Sequence, residues 1–532
     1  MKSLIDLHRW VLEESGTQFG ISTRRDVKTI ATRVENEGLS FLTITLPKVG
    51  KDLQRALADG QVDSTHFQGF PKSGKLPLLL KEWFSRVFDP ITGVLLDEPD
   101  VEAIRVIFQV TGMLKKVELE CTEKRTKAAF DKYIEIENEV RKMVWTKDDP
   151  LLVDFRLWTH TLFGDLLHHW QKLLIEDRLI PKHGPGAVAD RLRGNAKWNQ
   201  AAWPDRLESV FPFGRYAYSS WRHYLDDLDA GGRPSLPGTE LPVKVTAVPK
   251  TLETPRLIAI EPTWMQYMQQ ALKGGFEESV QIARFGRMVD YKSQVPNQDM
   301  ACIGSETGAF ATLDLSEASD RVSNQLVRAM LSDFPALSEA VDATRSRTAD
   351  VFGHGVIRLA KFASMGSALC FPIESMVFLI ISMMGCYNLY KSGVQGTPVS
   401  RNNFARNYFD SVRTYGDDII VPSRYARGVA DNLEAFGLKV NYTKSFWTGK
   451  FRESCGKEYF DGQDVTHVKV RSILPSRHLS ASELAASLVK TSALRNHLFE
   501  YGYWRTCQKL DQLMEGFIPY PAVGSDSPAI GR

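Results

Sequence analysis

Two adjacent carboxylates, Asp417 and Asp418, stand between short apolar runs, with Tyr415-Gly416 before them and Ile419-Ile420-Val421 after. The pattern predicts strand, tight turn, strand, with Gly416 permitting the turn and both acids displayed at its tip. Like charges a few ångströms apart repel unless a cation or proton compensates them, so a bound divalent metal is the chemistry this pair suggests. A solvated acidic turn has the same local pattern, and the rest of the chain must decide between the two.

A third acid comes from far upstream. Ala311-Thr312-Leu313-Asp314-Leu315 reads as a strand, Ser316 is placed to cap the helix after it, and Val322, Leu326, Val327, Met330 and Leu331 would share one face of that helix. If this strand neighbours the 415–421 hairpin, Asp314, Asp417 and Asp418 converge. Three carboxylates can hold two divalent cations about 4 Å apart, the arrangement used for phosphoryl and nucleotidyl transfer. Oxygen donors select magnesium or manganese over zinc. Cationic partners for a triphosphate are available in Lys244, Lys250 and Arg256, along the strand-loop-strand stretch 243–260, and farther on in Lys439 and Lys444. Ordinary exposed charge is the alternative reading of all five.

Around these residues the chain is that of a globular protein. Its 532 residues are 43% hydrophobic and 24% charged, with a net charge of +2, so any basic surface must be local. The length suits two to four domains or one multilobed enzyme. Six scattered cysteines, with no C-x-x-C pair, favour a reduced intracellular protein without structural zinc. The N-terminus meets charge too early for a secretory signal. The apolar run 375–387 is too short to span a bilayer and reads as a buried core helix within 372–390. Helices are expected at 101–117, 127–144 and 429–436, strands at 243–248 and 256–260, and loops at the Gly- and Pro-rich segments 184–186, 231–234 and 237–238. The whole predicts an α+β fold with helices packed on a small antiparallel sheet.

In order along the chain, Asp314-Leu-Ser-Glu-Ala-Ser-Asp320, Ser364-Met-Gly366, Tyr415-Gly-Asp-Asp418, Lys444-Ser-Phe446 and Phe451-Arg-Glu-Ser-Cys-Gly456 resemble polymerase motifs A to E. They are similar to the replicase subunit, the RNA-directed RNA polymerase beta chain, of small single-stranded RNA bacteriophages of the leviviral or Qβ type. That resemblance is strong from Lys244 to Gly456. It implies a right-hand polymerase: residues 1–241 an N-terminal region and fingers, 242–310 fingers with motif F, 311–475 a palm with motifs A to E, and 476–532 a small thumb.

The same resemblance assigns roles. Asp314, Asp417 and Asp418 would ligate two magnesium ions, with manganese able to substitute; Lys444 would be the general acid for departing pyrophosphate; Lys250 and Arg256 would grip the triphosphate. Asp320 would lie near the incoming sugar, and Ser364 and Gly366 would form the motif B loop against the nascent pair. Cys370 stands where related phage enzymes tend to carry threonine, and Glu374 where many other viral polymerases have asparagine; both positions bear on ribose selection. Segments 182–187 and 194–198 resemble fingers segments of these enzymes.

The implied partners are a single-stranded RNA template, nascent RNA, ribonucleoside triphosphates, host elongation factors Tu and Ts and ribosomal protein S1. No membrane is among them, initiation is primer-independent, and the setting is the cytoplasm of an infected bacterium. A reverse transcriptase and a non-catalytic RNA-binding protein on a retired polymerase fold are the rival readings; the intact acidic trio argues against the second.

Several residues carry bland alternatives. Met365, Met376, Met383 and Met384 read as core filler, and His183 and His354 as loop histidines rather than ligands. Trp198, Trp203 and Trp221, beside Lys197, Arg206 and Arg222, fit either core packing or base stacking. Arg401, Arg406 and Arg413 fit a template track or a plain exposed loop.

Overall fold

The computed structural model describes residues 2–198, 202–229, 240–395, 398–524 and 526–532; the glycine- and proline-rich segments expected at 231–234 and 237–238 lie outside them. At the centre is a three-stranded antiparallel sheet in the order Phe310–Leu313, Asp418–Pro422, Arg413–Tyr415. Leu313 pairs with Ile419 and Tyr415 with Asp418, so the end of the first strand lies beside the turn of the hairpin. A further segment continues this sheet beyond Phe310–Leu313, where Thr312 and Phe446 exchange amide hydrogen bonds of 2.9 and 2.8 Å.

Buried apolar side chains run through Ile419-Ile420-Val421 because helices cover the sheet. The Cys370–Gly393 helix packs against it and against the helix Ala426–Ala435. Being apolar all round, it fits a core position. By length and composition it could cross a membrane, yet 94% of its most apolar window is buried inside the protein. The helix is thus longer than the apolar run seen in the sequence, because Cys370-Phe371-Pro372 and the polar end around Lys391 join it.

A second sheet, ordered Arg256–Ile260, Val243–Val248, Thr348–Val351, Gly355–Arg358, carries the helix Glu123–Lys142, whose Phe130 and Tyr133 share its small core. Both predicted strands, 243–248 and 256–260, form as expected.

One expectation needs correction. Ser316 does not cap a helix: its amide donates to the Lys439 carbonyl at 2.8 Å, which keeps the chain extended beside 439–441. Helix therefore starts at Ala318, stops at Arg321 and restarts at Asn324, where Ser323 supplies the cap through its 3.1 Å bond from the Gln325 amide. Val322, Leu326, Val327, Met330 and Leu331 are buried even so.

Leu4 to Val117 share a hydrophobic core with Phe446, Phe451 and Phe460 and with Leu494, Leu498, Cys507 and Leu510 of the last two helices. The helix Pro150–Ile175 instead joins the core of the central sheet. The C-terminal pair Ala481–Glu500 and Trp504–Glu515 is too small to bury its own apolar faces and does so against the N-terminal helices.

Glu14 is the polar clasp between the two ends. It is 7% exposed and accepts from the amides of Arg505 and Thr506, both at 2.8 Å, and from the Thr506 hydroxyl at 2.7 Å, satisfying orphan donors at the start of the Trp504–Glu515 helix. Glu14→Ala should destabilise this unit by about 2 to 3 kcal/mol. Urea unfolding followed by tryptophan fluorescence checks this; an unchanged midpoint would sink it.

Candidate active site

The hairpin tip is set by sterics before electrostatics. Gly416 has φ +58°, and a Cβ there would lie 2.5 Å from the Phe371 ring. The Gly416 amide donates to Ser375 Oγ at 3.1 Å and Thr414 Oγ1 to the Ser375 carbonyl at 3.0 Å, so the Cys370–Gly393 helix clamps the turn from behind. Asp417 is exposed at the tip. Asp418 Oδ1 accepts from the Cys455 amide at 3.0 Å and from Ser454 Oγ at 3.3 Å, which ties the turn to the neighbouring hairpin Phe451–Phe460.

Asp314 follows the adjacent strand. Its Oδ2 accepts from Asn441 Nδ2 at 2.8 Å and its Oδ1 lies 3.8 Å from Lys444 Nζ. Burial first, then the charges of Asp417 and Glu453 against the attraction of Lys444, pushes the Asp314 carboxyl up to about 6. Asp418 also rises to about 6, again chiefly through burial, with Asp417, Glu453 and Asp314 adding to it. Lys444 is held protonated above the usual lysine range, by Glu453 foremost and by Asp314, Asp418 and Asp417.

Among the described residues no three Asp, Glu, His or Cys side chains close into a metal cage. What fits a divalent cation is the mutual cost of these carboxylates, which a bound charge would relieve, and their hard oxygen donors.

Lys250 and Arg256 flank the same acids from the second sheet, Arg256 opposite Val248. Both are exposed; partial desolvation, then Arg256 and Lys444, lower the Lys250 pKa, opposed by Asp417 and Asp314. Lys244 lies at the far end of that strand pair, opposite Ile260, and is not brought to the acids.

Asp320 and Ser364 meet in a buried network. Asp320 Oδ1 accepts from Ser364 Oγ at 2.8 Å and from Lys361 Nζ at 3.0 Å. Tyr133 Oη is 3.0 Å from Ser364 Oγ, and its ring lies 3.3 Å below the fully buried Lys361 ammonium. Gly366, at φ +131°, presses on the second sheet: a Cβ there would meet the Ala259 carbonyl at 2.0 Å, and the Ala259 amide donates to Met365 O at 2.8 Å. Glu374 is buried beside Cys370, whose Sγ is 3.8 Å away; burial, then Asp417, raises its carboxyl well above the usual range.

Lys361 and Glu453 join the site only through the fold. The sequence signal for the first is a lone lysine inside Leu359-Ala360-Lys361-Phe362-Ala363; Glu453 lies within the segment Phe451-Arg-Glu-Ser-Cys-Gly456.

Other candidates lie elsewhere. His183 stacks on Tyr267 at 4.4 Å, and burial lowers its pKa to about 4, while His354 pairs with Asp131 at 2.9 Å. Lys197 bonds the Gly184 and Gly186 carbonyls, each at 2.6 Å, joining the segments 182–187 and 194–198. Trp203 is buried; Trp221 is exposed. Arg401 engages Asp154 at 2.5 Å and Arg413 engages Asn297 at 2.8 Å.

Residues 240–480, which contain Asp314, Asp417, Asp418, Asp320, Lys250, Arg256 and Lys444, match the model of the family described as RNA replicase, beta-chain. That region belongs to this family. The replicase region is 35% identical over 237 residues to the RNA-directed RNA polymerase subunit beta of Qbeta virus (strain MX1), covering 44% of this chain and 36% of that protein. It is 31% identical over 274 residues to the RNA-directed RNA polymerase beta chain of Enterobacteria phage fr, covering 52% of this chain and 46% of that one. The matched stretch therefore spans less than half the length of these relatives. Among solved structures, the RNA-dependent RNA polymerase from bacteriophage phi12 gives a TM-score of 0.43 at 13% identity, over 89% of this chain and 77% of that one.

Raised carboxyl pKa values make the acidic site a stability cost. Between pH 4 and 6 the folded protein binds more protons at Asp314 and Asp418 than the unfolded chain, so their contribution to stability falls as pH rises through that window. Asp417→Asn, by removing one of the repelling charges, should raise metal-free stability at pH 7 by about 1 kcal/mol and by less at pH 5. Calorimetry in chelator at both pH values checks this; an equal or lower midpoint for the variant at pH 7 would rule out the repulsion.

Proposed function

We propose that this chain is an RNA-directed RNA polymerase that copies a single-stranded RNA phage genome from ribonucleoside triphosphates, releasing pyrophosphate. One observation carries the reading: within the replicase region, Asp314 and the Asp417-Asp418 pair lie at the ends of neighbouring strands, with Lys444 on the segment beyond. Asp314, Asp417 and Asp418 would hold divalent magnesium, which supplies activation of the 3′ hydroxyl and charge compensation at the phosphate.

The chain's own groups do the rest. Lys250 and Arg256 receive the triphosphate as point charge and fork. Asp320, pinned by Lys361 and Ser364, faces the sugar with a fixed acceptor. The Cys455 amide and the Ser454 hydroxyl orient Asp418. Lys444 keeps its proton while Glu453 and the aspartates remain charged. It is therefore first a counter-ion, and becomes a proton donor to the leaving group only as negative charge builds on that group. The reading includes primer-independent initiation and the host partners elongation factors Tu and Ts and ribosomal protein S1. Primer-free incorporation by the purified protein, with and without host extract, tests that part.

Asp417→Asn should lower nucleotide incorporation by about a thousandfold or more while RNA affinity stays within about twofold. Unchanged incorporation refutes the catalytic assignment. Arg256→Ala should raise the apparent KM for nucleotide about tenfold with little loss of RNA binding. Equal losses in both would count against a triphosphate grip.

A further inference from the structure

The helix Glu123–Lys142 lies outside the replicase region 240–480, yet it holds that region at two places. At its start, Arg125 Nη1 donates to the Leu252 carbonyl at 2.9 Å, and Cys121 Sγ, just ahead of the helix, donates to the Thr251 carbonyl at 3.1 Å. Both carbonyls belong to the turn between Lys250 and Arg256, whose own closure runs from Thr251 to Thr254. Two turns further along the helix, Tyr133 meets Ser364 and Lys361. One turn beyond, Glu137 lies 3.9 Å from Lys361 Nζ, and Glu139 accepts from Arg321, the neighbour of Asp320, at 2.7 Å. Arg125 and Tyr133 stand about 12 Å apart along a single helix axis.

Counting hydrogens gives the Tyr133 contact a direction. The Asp320 carboxylate can only accept, so the one hydroxyl hydrogen of Ser364 goes to Asp320 Oδ1, and the 3.0 Å contact must be the Tyr133 phenol donating to Ser364 Oγ. Tyr133 is 2% exposed, and burial raises its phenol pKa, so the donor keeps its proton. Lys361 Nζ, packed on the same ring, donates to Oδ1 as well. Oδ1 is thereby taken up from the protein side. Oδ2 accepts from none of the described residues, on a side chain that is 22% exposed, and is the oxygen left for a ligand hydroxyl.

We infer that the helix Glu123–Lys142 positions both ends of the incoming nucleotide, Arg125 by holding the turn that carries Lys250 and Tyr133 by turning Asp320 through Ser364. The inference rests on the proposed polymerase reading, in which Lys250 and Arg256 receive the triphosphate and Asp320 faces the sugar. Arg125 and Tyr133 are positioning residues, each acting through another group. A sugar without a 2′ hydroxyl leaves Oδ2 unpaired, so the preference for ribose depends on how firmly that carboxylate is oriented.

The test is steady-state incorporation by the full chain and its Arg125→Gln and Tyr133→Phe variants, with ribonucleoside triphosphates and their 2′-deoxy analogues on one RNA template. Arg125→Gln should raise KM about fivefold for both sugars and leave the ratio of their kcat/KM values within about twofold. Tyr133→Phe keeps the ring over Lys361 and removes only the hydroxyl. It should lower the ribose-over-deoxyribose ratio about fivefold while the KM for ribonucleotide stays within about twofold. Both readouts are insensitive to the fraction of folded protein, since KM does not depend on enzyme concentration and the ratio is taken on one preparation.

An unchanged sugar ratio in Tyr133→Phe overturns the inference. So do losses of equal size in both variants for both sugars, which mark a helix that only supports the fold. Equilibrium binding of the same nucleotides, with magnesium, gives the two effects without catalysis. Binding ratios shifted as stated in a chain that incorporates nothing would refute the polymerase reading and keep the helix's role; incorporation with unshifted ratios would refute the helix's role and keep the polymerase.

Discussion

Carboxylates forced together at the ends of two paired strands are the constraint around which the centre of this molecule is organised. Antiparallel pairing of 310–313 with 418–422 sets Asp314 beside Asp418 whatever their charges prefer. The surrounding structure then moderates the repulsion rather than removing it. Asn441 and Lys444 face one acid, the Cys455 amide faces another, and burial raises the Glu374 carboxyl in the helix behind. Such residual strain is typical of a site whose compensating charge arrives with its ligand.

Legibility in the sequence followed the range of each interaction. The hairpin and the strands 243–248 and 256–260 are written in local alternation and turn residues, so pattern alone located them. Which strands become neighbours is a long-range matter. The pairing of Asp314 with the hairpin was reachable only because acids at both strand ends made a chemical case for it. No comparable clue linked Glu14 to Thr506, since a glutamate in an amphipathic helix looks like a solvated face until its partner is known. The failed cap at Ser316 has the same origin: local preference favoured a helix start, and pairing with 439–441 overrode it. Lys361 is not legible in the sequence because a single charge in an apolar stretch is equally a strand edge or a buried ion partner. Only the structure brings Tyr133, Glu137 and Asp320 around it.

The joining of both chain ends into one unit changes what the replicase region must do alone. The Phe451–Phe460 hairpin packs its Phe451 and Phe460 into the N-terminal core while its turn at Cys455 holds Asp418. One element thus belongs to both units, and its position fixes the acidic site relative to the N-terminal helices. Its two roles use opposite ends, the apolar strand residues inward and the turn amide outward.

A second shared element lies on the other flank. The strand Arg256–Ile260 presents Arg256 at its start and receives the 364–366 loop at Ala259. Gly366 is required there because no side chain fits against the Ala259 carbonyl, and Ser364, two residues earlier, holds Asp320. Arg256 and Asp320 are therefore linked through a contact of backbone on backbone with no slack for a methyl group. A close-packed link of this kind transmits displacement instead of absorbing it. Any motion of the loop that shifts the acceptor at Asp320 must also shift the strand that carries the guanidinium. The Arg256 guanidinium and the Asp320 carboxylate are then set together, by one glycine that neither group touches.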